Sequence, residues 1–359
     1  MRSENHLWER FIAFENIFRA WKDASKGRRR RPDVAAFEEN LEINLHDIIQ
    51  RLNQNEWTPG KYSSFYVEEN GVRRLISAAP FPDRIVHHAL VNVLEPIWER
   101  RFLGASHANR KGMGGHKAMA RADWGLQNCA YCLKCDIRKY FPSIDHEILY
   151  SLIARHVADK RILNLVHLII DSGRGVLNSE CPPMIFSGDD DLTALMRPRG
   201  LPIGNQTSQF FANVMLHPLD VMIAQEIRPK TFVRYVDDFL LFDDDREKLA
   251  AGLIKITEKL AALRLKLHPS KVRLFPCTEG VNFVGYRLTR QQIRLPRASV
   301  SRIRARLKHN AEMYSRGELT LEQVRSSVTG MAGHIGKSQG VRLFGKLLDE
   351  YLVLLPPAA

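Results

Sequence analysis

RYVDDFLLF, residues 234–242, sets two adjacent aspartates inside an otherwise apolar run. One reading is a charged turn between two strands. The other is a metal site at the tip of a hairpin. The flanks bear on the choice: Phe232-Val233 precede the pair and Phe239-Leu240-Leu241-Phe242 follow it, all strand-forming residues. A solvated turn needs no buried support of this kind, whereas a site held to tight tolerance does.

A second carboxylate stands far upstream. Residues 130–136 read as a buried strand ending in Asp136, and Asp145 then opens a helix to about residue 158, with an acidic residue suiting its N-terminus. Strand ends from distant segments can meet on one sheet. Three carboxylates brought together there repel one another and desolvate badly. Mg²⁺ offsets that cost, because it takes a few carboxylate oxygens together with phosphates and water. Two such ions about 4 Å apart activate an attacking hydroxyl and stabilise a leaving oxygen, the chemistry of nucleotidyl transfer.

The totals agree with a nucleic-acid enzyme without requiring one. A chain of 359 residues with 45% apolar residues suffices for two or three lobes with real cores. Lys+Arg exceed Asp+Glu by 53 − 40 = 13, which points to a polyanionic partner, nucleic acid before an anionic membrane. No apolar run approaches the ~20 residues of a membrane span. MRSENHLWERF lacks the apolar stretch of a secretory signal, so the expectation is a cytoplasmic protein with no membrane partner. Cys129, Cys132 and Cys135 have metal-site spacing, but no second CxxC or HxxxH pair supplies a fourth ligand; they read as buried strand thiols. Five cysteines, an odd number, argue against a disulfide framework.

Around this core the pattern is mixed. Trp8, Phe11, Phe14, Phe18 and Trp21 predict one amphipathic helix over 8–21, and Val34, Phe37, Leu41, Leu45, Ile48 and Leu52 predict a second. Between them lies SKGRRRRPD, either a solvated turn or a contact for a phosphate backbone. Residues 62–77 predict a hairpin turning at Asn70-Gly71, followed by a helix over 82–100. Residues 105–120 are a glycine-interrupted basic loop entering a helix, 172–200 an irregular insertion, 200–216 a loop entering a helix, and 281–288 a short strand. Leu249, Leu253, Ile256, Leu260 and Leu263 mark a long helix, and beyond 296 the chain is helical and basic. The order predicts an α+β fold, an antiparallel sheet backed by helices.

Six short stretches resemble the boxes of reverse transcriptases, in that family's order. Tyr235-Val236-Asp237-Asp238 resembles the YxDD box, and Lys134 to Phe141 (KCDIRKYF) the aspartate box before it. Arg73-Arg74-Leu75-Ile76 with Asp83-Arg84-Ile85-Val86 is similar to the fingers segment, and GLPIGNQTSQ at 200–209 to the template-side glycine loop. His268-Pro269-Ser270-Lys271 resembles the lysine box and Asn282 to Tyr286 (NFVGY) the primer-grip strand. Together they cover roughly 60–290. Where many bacterial relatives, group II intron enzymes included, carry QG and SP in the glycine loop, this chain has Ile203-Gly204 and Ser208-Gln209. That form resembles the reverse transcriptases of diversity-generating retroelements. The compact length, the helical N-terminal extension and the lack of an appended endonuclease segment agree with that group, although the 172–200 insertion is longer than the group carries.

The resemblance implies a right-hand polymerase: a helical N-terminal extension (1–60), fingers (61–130), a palm (131–295) bearing the 172–200 insertion, and a helical basic thumb (296–359). It implies Asp136 and Asp237 as ligands of two Mg²⁺ ions, with Mn²⁺ as a substitute, Asp238 as a weaker or outer ligand, and the Ile137 carbonyl adding to one ion. Phe141 would pack under the incoming sugar and reject a 2′-hydroxyl, its other reading being an ordinary core phenylalanine. Arg73 and Arg74 would clamp the triphosphate, only one facing the site because a strand alternates; Arg84 supports that clamp or makes a helix-surface salt bridge. Lys271 would protonate or neutralise the pyrophosphate, or else is a surface lysine. Ile203, Gly204 and Gln209 would touch the template side and bear on fidelity opposite template adenines, with Gly204 letting the backbone approach the base pair. Phe283, Gly285 and Tyr286 would form the primer grip. Arg302 and Arg306, among the basic residues of 302–308, would track an RNA–DNA hybrid or face solvent. The implied partners are template RNA, cDNA primer and product, dNTPs, and a small basic accessory oligomer (the accessory variability determinant). A retron, intron-type or phage-defence reverse transcriptase is the alternative enzyme, and an RNA-binding scaffold without chemistry the alternative class.

Overall fold

The aromatic stripe at the N-terminus folds as two helices, α1 (Trp8–Ile12) and α2 (Phe14–Ser25), broken at Ala13, whose ψ of 133° is extended. The computed structural model describes residues 4–69, 72–335 and 341–352. The break has a local cause: the Asn16 amide donates to the Phe11 carbonyl at 2.8 Å and to the Ala89 carbonyl at 3.1 Å. An Asn side chain thereby takes a carbonyl that a continuous helix would have used. The second predicted helix is also two, α3 (Pro32–Glu38) and α4 (Leu41–Asn53), with the Asn44 amide donating to the Phe37 carbonyl at 2.9 Å across the joint. Periodicity gave the apolar faces correctly and missed both corners.

β1 (Ser63–Glu69) and β2 (Val72–Ala78) form the antiparallel hairpin that the alternation predicts. The Asn70-Gly71 turn lies outside the described residues. α5 (Phe81–Glu99) follows and is buried around most of its circumference, with α1, α2 and α3 packed against it and α4 packed on those three. α6 (Gly115–Asn128) leads to β3 (Tyr131–Asp136), then come α7 (Tyr140–Ser143), α8 (His146–Ala154) and α9 (Lys160–Ser172). Asp145 caps α8, its carboxylate accepting from the Ile148 amide at 3.0 Å. The 172–200 insertion carries a 3-10 turn (Asn178–Glu180) and a short helix, α10 (Asp191–Met196), and is tied to the body where Arg197 lies 3.6 Å from the buried Asp145 carboxylate.

α11 (Gln206–Met222) runs beneath the sheet into β4 (Thr231–Tyr235), β5 (Asp238–Asp243), α12 (Arg246–Ala262) and β6 (Arg273–Pro276). The central sheet is antiparallel in the order β4-β5-β3-β6, so the two aspartate-bearing strands are neighbours. Both faces are covered, which is why β4 and β5 read as nearly unbroken apolar runs. Leu133, Cys135, Phe239 and Leu241 join the larger core with α11 and α12. Cys132, Leu240 and Phe242 join a second core with Ala118, Met119 and Ala122 of α6.

The predicted strand at 281–288 is a tight hairpin, β7 (Val281–Phe283) and β8 (Tyr286–Leu288), with β9 (Ile293–Arg294) beside it. Val284 and Gly285 make the turn at φ of 48° and 79°, a conformation glycine adopts without strain. Beyond it, α13 (Arg297–Ser315), α14 (Leu321–Ile335) and α15 (Val341–Leu352) close over their own core of Ile303, Leu307, Met331, Phe344 and Leu347. Among the described residues no helix is long and apolar enough to cross a membrane. The five cysteines are all buried and free of disulfides; of the CxxCxxC run Cys132 and Cys135 lie on β3, while Cys129 caps the end of α6 instead of joining the strand.

Candidate active site at the ends of β3 and β5

Asp136 ends β3 directly opposite Asp238, the first residue of β5, and Asp237 occupies the turn between β4 and β5. The turn is held from several sides. Val236 sits at φ 59°, a left-handed conformation that costs a β-branched residue energy and persists only when its surroundings enforce it. The Ile137 amide donates to the Asp237 carbonyl at 3.2 Å, and the His268 amide to the Asp136 carbonyl at 2.7 Å.

Arg234 enforces the turn from below. It is 1% exposed and uses its whole guanidinium. Its Nε and Nη2 donate to the two oxygens of buried Asp220 at 2.7 and 2.6 Å, Nη2 also to Ser106 Oγ at 2.9 Å, and Nη1 to Asn213 Oδ1 at 3.2 Å and to the Val236 carbonyl at 2.9 Å. A planar fork with fixed donors suits this bidentate pairing.

The three carboxylates line one cleft of about 520 Å³ with Arg73, Arg74, Phe141, Ile203, Lys271 and Gly285. Two lysines reach them. Lys271 Nζ lies 3.0 and 3.1 Å from the Asp136 oxygens, and Lys134 Nζ bridges Asp238 at 3.2 Å and the Asn282 carbonyl at 2.7 Å. With the side chains so engaged, no three His, Cys, Asp or Glu groups among the described residues converge in metal-ligand geometry. The donor set nevertheless suits a hard divalent cation. Burial, then the Asp136 charge, pushes Asp237 up to about 6. Burial pushes Asp238 up to about 6 as well, against the pull of Lys134 and with Asp136 and Asp237 adding to the rise. Asp238 Oδ1 is buried with no partner. Clustered oxygens that resist ionisation are relieved by a dication.

The remaining candidates divide. Arg73, Arg74 and Leu75 all border the cleft; the Arg73 guanidinium lies 3.8 Å from the Tyr66 ring centroid, while the Arg74 charge is felt at Asp237. Lys271 is no idle surface lysine, since it holds Asp136. Arg84 is buried and donates to the Ala79 carbonyl at 2.9 Å, away from the cleft. Gly204 does not line the cleft. At φ 115° a side chain is strained, and a Cβ there would meet the Ile76 side chain at 3.0 Å, so the close approach of this loop to the β1–β2 hairpin favours glycine. Gln209 stands one turn into α11, outside the cleft lining. Phe283 and Tyr286 are buried in the second core, and only the Val284-Gly285 turn between them reaches the cleft. The Ile137 side chain is buried in the main core. Arg302 and Arg306 lie elsewhere, along a groove between α13 and α14 with Ser299, Gln323 and Ser327.

Lys134, Arg234 and Asp220 are the residues that sequence reasoning missed. Signals existed for each. Lys134 shares a strand face with Asp136, two residues away. An arginine inside the apolar run of β4, and an aspartate inside the apolar α11, each demand a buried partner.

The sequence pattern of the reverse transcriptase (RNA-dependent DNA polymerase) family matches residues 63–288, more than half of the chain. Among curated proteins, an uncharacterized 91 kDa protein in a cob intron of Schizosaccharomyces pombe is 29% identical over 196 residues, 54% of this chain and 22% of that protein. Protein YkfC of Escherichia coli is 22% identical over 293 residues, 71% of this chain and 73% of that protein. The group II intron-encoded protein LtrA of Lactococcus lactis is 22% identical over 282 residues, 76% of this chain and 44% of that protein. The chain thus spans less than half the length of two of these three relatives.

Proposed function

Because this chain belongs to the reverse transcriptase (RNA-dependent DNA polymerase) family, we propose that it copies RNA into DNA at the cleft where Asp136, Asp237 and Asp238 meet. The observation that carries the reading is the pairing of Asp136 with Asp238 across two adjacent strand ends, with Asp237 in the turn beside them. In this reading 1–60 is an N-terminal extension, 61–130 the fingers, 131–295 the palm with its 172–200 insertion, and 296–359 the thumb.

Asp136, Asp237 and the Ile137 carbonyl would hold two Mg²⁺ ions, with Asp238 as an outer group; the ions supply an activated primer 3′-hydroxyl and neutralise charge on the departing pyrophosphate. Lys271 exchanges its present ion pair with Asp136 for the triphosphate, and Arg74 and Arg73 clamp the same oxygens. Phe141 closes the floor of the cleft against a 2′-hydroxyl, since a phenyl edge offers that oxygen no hydrogen bond. Ile203 meets the templating nucleotide, with Gly204 and Gln209 behind it, and the Val284-Gly285 turn carries the primer grip on the buried struts Phe283 and Tyr286. Arg302 and Arg306 take backbone phosphates of the hybrid.

The finer reading is a diversity-generating retroelement enzyme that copies a template-repeat RNA with errors at adenines, working with a small basic accessory oligomer. Its support is the IGxxxSQ form of the glycine loop at 203–209. A second reading, an intron-type enzyme, is supported by relatives whose names place them in introns. Primer extension on poly-rA with oligo-dT and Mg²⁺ tests the activity. Asp237→Asn is expected to lower the rate by roughly 10³-fold or more while leaving RNA affinity within a few-fold; parallel loss of both would overturn the metal role. Sequencing cDNA made from a mixed template separates the finer readings: substitutions confined to template adenines support the first, and a uniform low error rate supports the second.

A further inference from the structure

The 172–200 insertion supplies part of the cleft wall, and the chemistry of the aspartates gives it no role. Leu177 and Glu180 border the cleft together with Arg73 and Arg74 of β2. Leu177 is buried, and its carbonyl accepts from the Glu180 amide at 3.0 Å. A buried neighbour thus sets Glu180 at the cleft edge.

The insertion meets the β1–β2 hairpin at two hydroxyls. Tyr62 Oη and Ser172 Oγ are 2.9 Å apart, and the Tyr66 hydroxyl donates to Glu180 Oε1 at 3.2 Å. Tyr66 in turn carries Arg73, whose guanidinium carbon lies 3.8 Å from the ring centroid. The strand register brings them together. Tyr66 pairs with Leu75 and Glu68 with Arg73, so Tyr66 and Arg73 share one face of the hairpin, while Arg74 belongs to the other.

Each link of this chain has a physical consequence. A cation is attracted to the negative face of a phenol ring. A guanidinium held there keeps in-plane N–H groups for phosphate oxygens, so the contact orients the fork without using up its donors. An arginine without such a support has to be ordered each time a ligand arrives, which weakens binding. Tyr66 is itself 46% exposed, so packing alone does not fix its ring. The bond to Glu180 supplies the missing restraint.

We propose that Glu180 and Tyr66 are positioning residues for the incoming nucleotide: Glu180 fixes the Tyr66 ring, and the ring holds Arg73 ready for the triphosphate. The insertion thereby sets nucleotide affinity. The assignment of Arg73 to the triphosphate rests on the polymerase reading above.

The test is equilibrium binding of a fluorescent dTTP analogue, with Mg²⁺, to protein on poly-rA primed by oligo-dT. The primer ends in a 3′-deoxynucleotide, so nothing is incorporated. Glu180→Ala and Tyr66→Phe are each expected to raise the Kd about fivefold. The two together raise it no more than either alone, because they remove the same bond. Glu180→Gln keeps an acceptor oxygen and stays within about twofold of wild type. Tyr66→Leu also takes the ring from Arg73 and is expected to weaken binding about twentyfold. Primer–template affinity is unchanged in all of them. With an extendable primer, the KM for dTTP rises in parallel while kcat stays within about twofold.

A Kd that Glu180→Ala leaves unmoved or tightens overturns the proposal. So do Glu180→Gln as weak as Glu180→Ala, additive losses in the double variant, or an equal loss of primer–template affinity. Wild-type protein whose dTTP binding depends on Tyr66 and Glu180 yet extends no primer overturns the polymerase and leaves the positioning pair. Protein that extends primers with a dTTP affinity indifferent to both residues overturns the pair alone, and protein that neither extends nor binds dTTP overturns both.

Discussion

Lys134 and Lys271 show how single residues tune the cleft. Each covers one carboxylate, Asp238 and Asp136 respectively, and leaves Asp237 between two like charges in a buried turn. The proposed sugar gate also rests on a single side chain. Phe141 lines the cleft beside the carboxylates, and its ring meets Tyr140 edge-on at a centroid distance of 5.6 Å, which fixes the phenyl plane. Phe141→Ala opens space where a 2′-hydroxyl would sit. Discrimination between dNTPs and NTPs is expected to fall by roughly 10–100-fold, read as the ratio of kcat/KM values; an unchanged ratio would remove Phe141 from the gate. Asp136, Asp237 and Asp238 were legible from residue type and setting. Lys134 was not, because period-two alternation gives the face of a lysine but not the through-space partner that holds it.

At the scale of elements, the hairpin β4–β5 depends on a helix beneath it. Arg234 joins α11 through Asp220, the 105–106 loop through Ser106, and its own turn through the Val236 carbonyl. Arg234→Met strands Asp220 as a buried, unpaired charge and is expected to cost about 3–5 kcal/mol, read by thermal melting. Arg234→Met with Asp220→Leu removes both charges and is expected to recover most of that stability. The Val236 carbonyl still lacks its donor in the double variant, so single-turnover extension should remain slow although the protein is folded. Full recovery of the rate would make Arg234 a matter of stability alone. The same scale exposes where pattern reading fell short. The strip 281–288 alternates like one strand, yet Val284 and Gly285 turn it back on itself, and the break at Ala13 depends on Asn16 reaching α5.

For the whole molecule, acid stability follows from buried histidines. His87 is fully buried with neither ring nitrogen bonded, and burial pushes it down to about 3; His107 is held at about 4 by burial and by Arg121 and Arg110 nearby. His88, His146, His156 and His217 are also depressed. In the unfolded chain these rings titrate near 6.5, so between pH 6.5 and 3 the unfolded state binds more protons and stability falls as pH falls. Asp237 and Asp238, raised to about 6, act in the opposite sense between pH 6 and 4, and Asp83, raised by burial, acts with them, but they are three groups against six. His87 alone is expected to remove about 2 kcal/mol between pH 7 and pH 5. His87→Leu should flatten the decline of melting temperature over that interval; an unchanged slope would mean that another group carries it.

The sequence by itself determined the α+β class, the neighbouring roles of the 130–136 and 231–243 strands, and the acidic residues of the cleft. Those follow from alternation and from the cost of burying like charges, both local properties of a chain. Only the tertiary structure decided that Arg234 grips Asp220, that Phe283 and Tyr286 lie in the core while Val284 and Gly285 face the cleft, and that Gly204 yields to Ile76. Partner choice among buried groups, and which of two alternating faces meets a neighbour, depend on contacts between residues far apart in the chain, and no local pattern encodes them.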